Sequence, residues 1–393
     1  MPDTNDDAFA WMHFSLEKRK LEGLLRELKI RPVAPARDFS TNDYLGLRLS
    51  SIVHNAGMAA AEKQGSGSGS SPAVGGWSTA HQELANTIAE WKNTQAALLF
   101  TSGYLANQST VAALVGPGDA VYLDRLSHAC LVDGARLSGA SVRVFPHNDH
   151  TKLGRILERD TSRFRRRLIV TESIFSMDGD MAPLTELASL ASRHKAMLMV
   201  DEAHATGLFG PQGQGLVEDL GLSLQPDIVR TGTLSKALGA QGGFVSGSQS
   251  LIDWLVQAAR GWIYATAISP YLAGAALGAI GIVRSNSTLR QKLHQNAIYL
   301  RNKLIDHGWQ VPEVAGAILP LVIGDAELTT LFGQMLYEKG FAVGAIRPPT
   351  VPRGTARLRL SLSAIHSHED LDAVAAALAS VATRLNLINS NDC

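Results

Sequence analysis

Between residues 96 and 246, short apolar runs alternate with stretches whose apolar positions recur every three to four residues. The runs fall at 96–100, 119–123, 141–145, 167–171, 196–200, 227–230 and 242–246. An unbroken apolar run of this length marks a strand buried on both faces, as in a parallel sheet, and the helical stretches supply the crossovers. The spacing predicts an α/β domain: a mostly parallel seven-stranded sheet wrapped by helices. After Pro270 the period changes. Two helical patterns, 270–284 and 287–307, lead to a smaller α+β segment with apolar runs near 315–323, 341–345 and 357–362 and a last helix over 368–385.

Upstream, Leu16, Leu21, Leu24, Leu25 and Leu28 stand among charges at near-helical spacing, which predicts an amphipathic helix over 10–29, ended by Pro32 and Pro35. Residues 65–80 have the composition of a flexible linker, yet Val74, Trp77 and a helix starting near His81 point to an ordered loop. The expected division is an N-terminal helix and extended segment (1–45), a large domain (46–285) and a small C-terminal α+β domain (286–393). No internal repeat is visible.

Composition narrows the function. Lys plus Arg and Asp plus Glu are both 36, so the formal net charge is zero, which argues against a general nucleic-acid binder or a protein held on anionic membrane. Cys130 and Cys393 offer neither a disulfide framework nor a zinc quartet, so no metal is expected. The acidic start lacks a signal-peptide pattern and no window is apolar enough to span a bilayer. A cytoplasmic setting is expected.

The candidate chemistry sits at the ends of two of the predicted strands. Lys236 follows the run at 227–230 among small residues, where an amine loses some preference for its charged form and can act as nucleophile or base. Asp201 and His204 follow the run at 196–200. Ligands of open parallel sheets bind beyond the carboxyl ends of the strands, so the lysine and the carboxylate can share a cleft. Pyridoxal phosphate catalysis needs both: an amine to hold the aldehyde and a carboxylate to keep the pyridine nitrogen protonated. A helix cap is the alternative for Asp201. Ser102-Gly103-Tyr104, between a strand and a helix, suits a phosphate, and the hydroxyls of Thr231, Thr233 and Ser235 could add donors.

In order, Asn42-Asp-Tyr-Leu-Gly-Leu, Thr101-Ser-Gly-Tyr, Leu126-Ser-His128-Ala, the segment from Thr171 to Asp180, Asp201-Glu-Ala-His204, Thr231-Gly-Thr-Leu-Ser-Lys236 and Arg357-Leu-Arg359-Leu resemble the α-oxoamine synthases, a family of fold-type I pyridoxal phosphate enzymes. The likeness runs from about residue 16 to 385. Serine before His128 and the run from Ala345 to Arg357 look most like the branch that joins L-alanine to a pimeloyl thioester in biotin synthesis.

The resemblance implies roles. Lys236 would hold the cofactor and move the substrate's α-proton, Asp201 would pair with the pyridine nitrogen, His204 would reach the phenolic oxygen and His128 would stack on the ring. Gly103, Tyr104, Ser176 and Thr233 would contact the cofactor, with Glu172 in support or in a strand-end ion pair. Arg359 would anchor the amino-acid carboxylate near Asn42. Arg26 and Thr350 match substrate contacts, although an arginine on an amphipathic helix is usually just solvated. Thr266 matches a residue reaching the phosphate across a homodimer, and an acyl carrier protein is a possible partner. The basic run Arg163–Arg167 is either a solvated face or an attractor for the phosphates of coenzyme A or an acidic carrier. The rival readings are a sibling synthase with glycine or serine and another acyl-CoA, a non-catalytic heterodimer partner, and a fold-type I aminotransferase.

Overall fold

The computed structural model describes residues 8–26, 28, 37–313 and 316–387. Eleven strands are found among them: β1 Asp38–Phe39, β2 Ala96–Phe100, β3 Ala120–Asp124, β4 Ser141–Phe145, β5 Arg167–Glu172, β6 Met197–Asp201, β7 Ile228–Thr233, β8 Gly243–Gly247, β9 Ile318–Gly324, β10 Ala342–Ile346 and β11 Ala356–Ser361.

The chain divides into two compact units. The larger spans Asn42–Gln295, with Glu313–Ala317, and holds one seven-stranded sheet in the order β2-β8-β7-β6-β5-β3-β4. Only β8 runs against its neighbours; the β7–β6, β6–β5, β5–β3 and β3–β4 pairs are parallel. The expected architecture is borne out, each strand within three residues of its predicted bounds.

Alternation along each strand builds two cores. Leu168, Val170 and Met199 pack on one face with Val111 and Leu131, from the helices Gly103–Leu114 and Ala129–Ser138. Ile169, Leu198 and Val200 pack on the other with Leu153, Leu157 and Leu187, from the helices His150–Arg159 and Leu184–Arg193. Burial on both faces is why these strands read as unbroken apolar runs.

The smaller unit combines the N-terminal segment to Thr41 with Asn296–Pro312 and Ile318–Cys393. Its sheet has the order β1-β10-β11-β9, with β11 central and antiparallel to β10 and β9. β1 pairs parallel with β10, which ties the N-terminal segment to the C-terminal one.

The N-terminal helix is shorter than the expected 10–29. It covers Ala10–Leu21 and buries none of its residues. Gly23 takes φ +64, a left-handed conformation that ends the helix before Leu24, so Leu24 and Leu25 leave the periodic face. Positions 27 and 29 lie outside the described residues. The glycine-rich stretch is ordered: Ser70 accepts a 3.0 Å hydrogen bond from the Ala267 N–H, and the Ser68 hydroxyl donates to the Ile268 carbonyl. Among the described residues no helix is long and apolar enough to cross a membrane.

Candidate active site

The carboxyl ends of β5, β6 and β7 lie side by side, with Glu172 paired to Asp201 and Asp201 to Thr231 in register. The helix Gly103–Leu114 crosses this edge. Asn107 on it donates to Asp201 Oδ2 at 2.7 Å and accepts from Thr231 Oγ1 at 2.5 Å. Asp201 Oδ1 accepts the Ala203 N–H at 2.8 Å. The carboxylate is buried, held on both oxygens, and aimed by a residue the sequence reading missed.

Lys236 follows β7 and places Nζ 2.8 Å from His204 Nε2. His204 Nδ1 lies 2.6 Å from the Tyr44 hydroxyl, which donates to Asn42 Oδ1 at 3.1 Å. Tyrosine has one proton to give. With that proton on Asn42, His204 Nδ1–H fills the short contact and Nε2 presents its lone pair to the Lys236 amine. Asn42, Tyr44, His204 and Lys236 thus form one chain of polar contacts.

A second arm carries His128, the N-cap of the helix Ala129–Ser138. Its backbone N–H donates to Glu172 Oε1 at 2.7 Å, and its Nδ1 lies 2.9 Å from Cys130 Sγ. Glu172 also accepts from the Ser176 backbone. Burial and the nearby Asp201 push the Glu172 carboxyl up to about 8, against the pull of Lys236 and of these N–H donors. It therefore works at neutral pH as a largely protonated bracket between two loops.

The cradle is where the strand–Gly–helix junction placed it. Ser102 accepts the Leu105 N–H, which leaves the Gly103 and Tyr104 N–H groups at the start of a twelve-residue helix without a helical partner. A Cβ at Gly103 would sit 3.0 Å from Thr233 Cβ, a tight contact, and one at Gly243 would sit 2.4 Å from the Ser102 carbonyl oxygen, a close approach that needs glycine. Thr233 Oγ1 lies 2.6 Å from Ser235 Oγ. Thr231 does not join them, because its hydroxyl is committed to Asn107 one helical turn further in. The Tyr104 ring packs edge-on to His128 with centroids 6.2 Å apart, and its hydroxyl donates to Asp133. Amine, buried carboxylate and N–H cradle form a donor set that fits pyridoxal phosphate.

The other expected residues lie elsewhere. Thr266 stands beside the glycine-rich loop, lining a small cavity with Trp77 and Thr101. In the smaller unit Arg359 is on β11, buried, donating to Ser361 Oγ at 2.7 Å. Arg26 and Thr350, far apart in sequence, line one cleft of about 590 Å³ in that unit. Lys20 and Arg347 add positive charge, no acid stands among the described lining residues, and Leu25, Val343 and Ile346 make it partly apolar. Arg347 donates to Thr330 Oγ1 at 2.9 Å and to the Leu25 carbonyl at 2.5 Å. In the basic run, Arg165 and Arg166 both bind the buried Asp119, at 3.1 and 2.7 Å. That run enters β5 at the end away from Glu172, roughly 16 Å along an extended strand.

A family model for aminotransferase class I and II matches residues 36–378. The chain belongs to this family. Within it, the chain is similar to an 8-amino-7-oxononanoate synthase of Alkalilimnicola ehrlichii, 46% identical over 343 residues and 87% of each chain. A high-resolution structure of SPT (serine palmitoyltransferase) with PLP superposes on this class I and II fold with a TM-score of 0.90 at 30% identity, over 97% of this chain and 98% of the other. An 8-amino-7-oxononanoate synthase from Francisella tularensis does so with a TM-score of 0.78 at 26% identity, over 91% and 100%. The likeness expected from the ordered motifs is borne out, and with it the fold-type I architecture.

Proposed function

We propose that this protein is a pyridoxal phosphate-dependent 8-amino-7-oxononanoate synthase, which condenses L-alanine with a pimeloyl thioester and releases carbon dioxide and the free thiol. The observation that carries the cofactor is the pairing of Lys236 Nζ, 2.8 Å from His204, with the buried Asp201 carboxylate beside an open helix N-terminus. When bound, pyridoxal phosphate supplies a ring that withdraws electrons from the amino acid's α-carbon.

The chain's own residues do the rest. Lys236 Nζ would hold the group and would accept the α-proton of alanine. Asp201, fixed by Asn107 and the Ala203 N–H, would keep the pyridine nitrogen protonated. His204 would hydrogen-bond the phenolic oxygen and His128 would cover the ring. The Gly103 and Tyr104 N–H groups, with Thr233 and Ser235, hold the phosphate, Ser176 adds a hydrogen bond, and Thr266 serves the same phosphate across a homodimer. Arg359 would bind the alanine carboxylate, and a fixed carboxylate chooses which bond at the α-carbon reacts. Arg26 and Thr350 receive the pimeloyl thioester. Their cleft, whose described lining holds three cations and an apolar part, suits an acyl chain bearing anionic groups.

Backbone likeness to SPT is higher than to the solved synthase, which keeps a serine-using sibling in view. The relatives named 8-amino-7-oxononanoate synthase, at 42 to 46% identity over most of the chain, support alanine, because substrate choice lies in side chains. The test is thiol release by purified protein with added pyridoxal phosphate. Alanine with pimeloyl-CoA or a pimeloyl carrier protein is compared with glycine plus acetyl- or succinyl-CoA and serine plus palmitoyl-CoA. Release with alanine and a pimeloyl donor alone is expected, and Lys236→Ala should abolish it. Preference for another pair would move the enzyme to a sibling reaction, and full turnover in the lysine variant would end the cofactor assignment.

A further inference from the structure

A histidine outside this constellation sits between two carboxylates. His147 follows β4; its Nδ1 lies 2.9 Å from Asp124 Oδ1 and its Nε2 2.8 Å from Asp180 Oδ2. A neutral imidazole has one N–H and one lone pair, and a lone pair aimed at a carboxylate oxygen at that distance is repelled. Only the imidazolium satisfies both contacts. Burial pulls the ring toward neutrality, but the hydrogen bonds and charges of Asp124 and Asp180 raise it to about 10. Those two carboxylates, one at the end of β3 and one in the loop after β5, are the charged groups bonded to the ring. The Phe175 ring meets it edge to face, with centroids 4.4 Å apart.

Each carboxylate controls one loop. Asp124 Oδ1 also accepts the Leu126 N–H at 2.8 Å, and its carbonyl accepts the Ser127 N–H at 3.1 Å, shaping the turn that delivers His128. The Asp180 carbonyl accepts the Phe175 N–H at 2.9 Å and closes the turn that contains Ser176. Asn148 reinforces the join: its N–H donates to Asp124 Oδ2 at 2.8 Å and its amide to Asp180 Oδ2 at 2.7 Å.

We infer that His147 is a positioning residue: a clasp between two carboxylates that fixes the His128 turn to the Ser176 turn and so sets where the covering imidazole stands. The consequence for the cofactor rests on the proposed function; the clasp itself does not.

The test compares wild type, His147→Gln and His147→Gln/Asp180→Asn. A glutamine in place of the histidine donates to Asp124 but turns its carbonyl toward Asp180. With Asp180→Asn the amide at 180 donates to that carbonyl, and the bridge is restored without a cation. Pyridoxal phosphate affinity is read by absorbance titration, and the unfolding midpoint by thermal scan between pH 6 and 10. The single variant should bind pyridoxal phosphate about tenfold more weakly and unfold at lower temperature at pH 7, and the double variant should recover most of both. The wild-type advantage over the single variant should shrink as pH rises toward 10. A double variant no better than the single, or a single variant matching wild type in affinity and midpoint, overturns the inference. If wild type itself fails to bind pyridoxal phosphate, the proposed function falls, and the midpoints alone still decide the clasp.

Discussion

Lys92 and Glu202 give the sharpest test of how this site is held. Both side chains are essentially out of solvent, and Lys92 Nζ lies 3.0 Å from Glu202 Oε2. The same ammonium donates to Thr206 Oγ1 at 2.8 Å and to the Gln214 carbonyl, so its three protons are used. Glu202 Oε1 accepts the Val217 N–H at 2.9 Å. The pair sits directly beneath the turn that carries Asp201 and His204. Lys92→Met keeps the length of the side chain but leaves a buried carboxylate without its cation, a loss of about 3–5 kcal/mol. With one factor of ten for each 1.36 kcal/mol, amides that exchange by local opening of this turn should do so about 10²- to 10⁴-fold faster. Local exchange is the right readout, because a chain with two units need not unfold in one step. Hydrogen–deuterium exchange by mass spectrometry over residues 197–218 measures it. Lys92→Met/Glu202→Gln removes the orphaned charge while the glutamine still accepts the Val217 N–H, so protection should return to within about tenfold of wild type. Unchanged protection in the single variant, or a double variant as exposed as the single, refutes the reasoning that charge pairing, rather than packing, fixes this turn.

Glu172→Gln should leave the bracket in place at pH 7, because a carboxyl raised to about 8 is largely protonated there and the amide oxygen still accepts from His128. The folded value is raised above the unfolded one, so ionisation costs wild type stability as pH climbs from about 4.5 through 8, and thermal midpoints should favour the glutamine variant at pH 9. Tyr44→Phe removes the partner that sets the His204 tautomer and should lower kcat for alanine about fivefold to tenfold, read by steady-state kinetics; an unchanged kcat removes Tyr44 from the mechanism. Arg165→Ala/Arg166→Ala should lower the thermal midpoint modestly, since Asp119 loses two partly exposed guanidinium partners. Burial would raise Asp119, but those arginines hold it at about 2, so wild-type stability persists above the unfolded value and is lost as pH falls through about 2. The Michaelis constant for the thioester at low salt should not move, and a rise would restore the phosphate-steering role for this run.

The sheet was legible because its strands are buried on both faces, so their apolar runs are unbroken and short. The helices Pro270–Ser285 and Ser287–Asp306 were legible because proline at a helix start and a long 3.6-residue period leave little choice. The N-terminal helix was overextended for the opposite reason: it buries nothing, so its leucines carry no packing constraint, and one left-handed glycine outweighed the pattern. Lys236, Asp201 and His204 could be found because each follows an apolar run at a strand's carboxyl end.

Asn107, Tyr44 and Cys130 could not be found in that way. The partners that matter lie far off, His204 for Tyr44, Asp201 for Asn107 and Asn107 for Cys130, and nothing local distinguishes a helix asparagine that aims a carboxylate from one that faces water. The same limit explains the charged groups. Lys92, Glu202, Arg230 and His147 read as ordinary surface residues, yet the first three are buried and the fourth is held between two acids. A sequence with zero net charge hides such pairings, because each cation is balanced by an acid far along the chain. What the sequence announces is the group that does the chemistry; what it conceals is the set of ion pairs and amides that hold that group within hydrogen-bonding reach. Variants of Lys236 therefore test the reaction, whereas variants of Lys92, Asn107 and His147 test whether the reaction has a rigid place to occur.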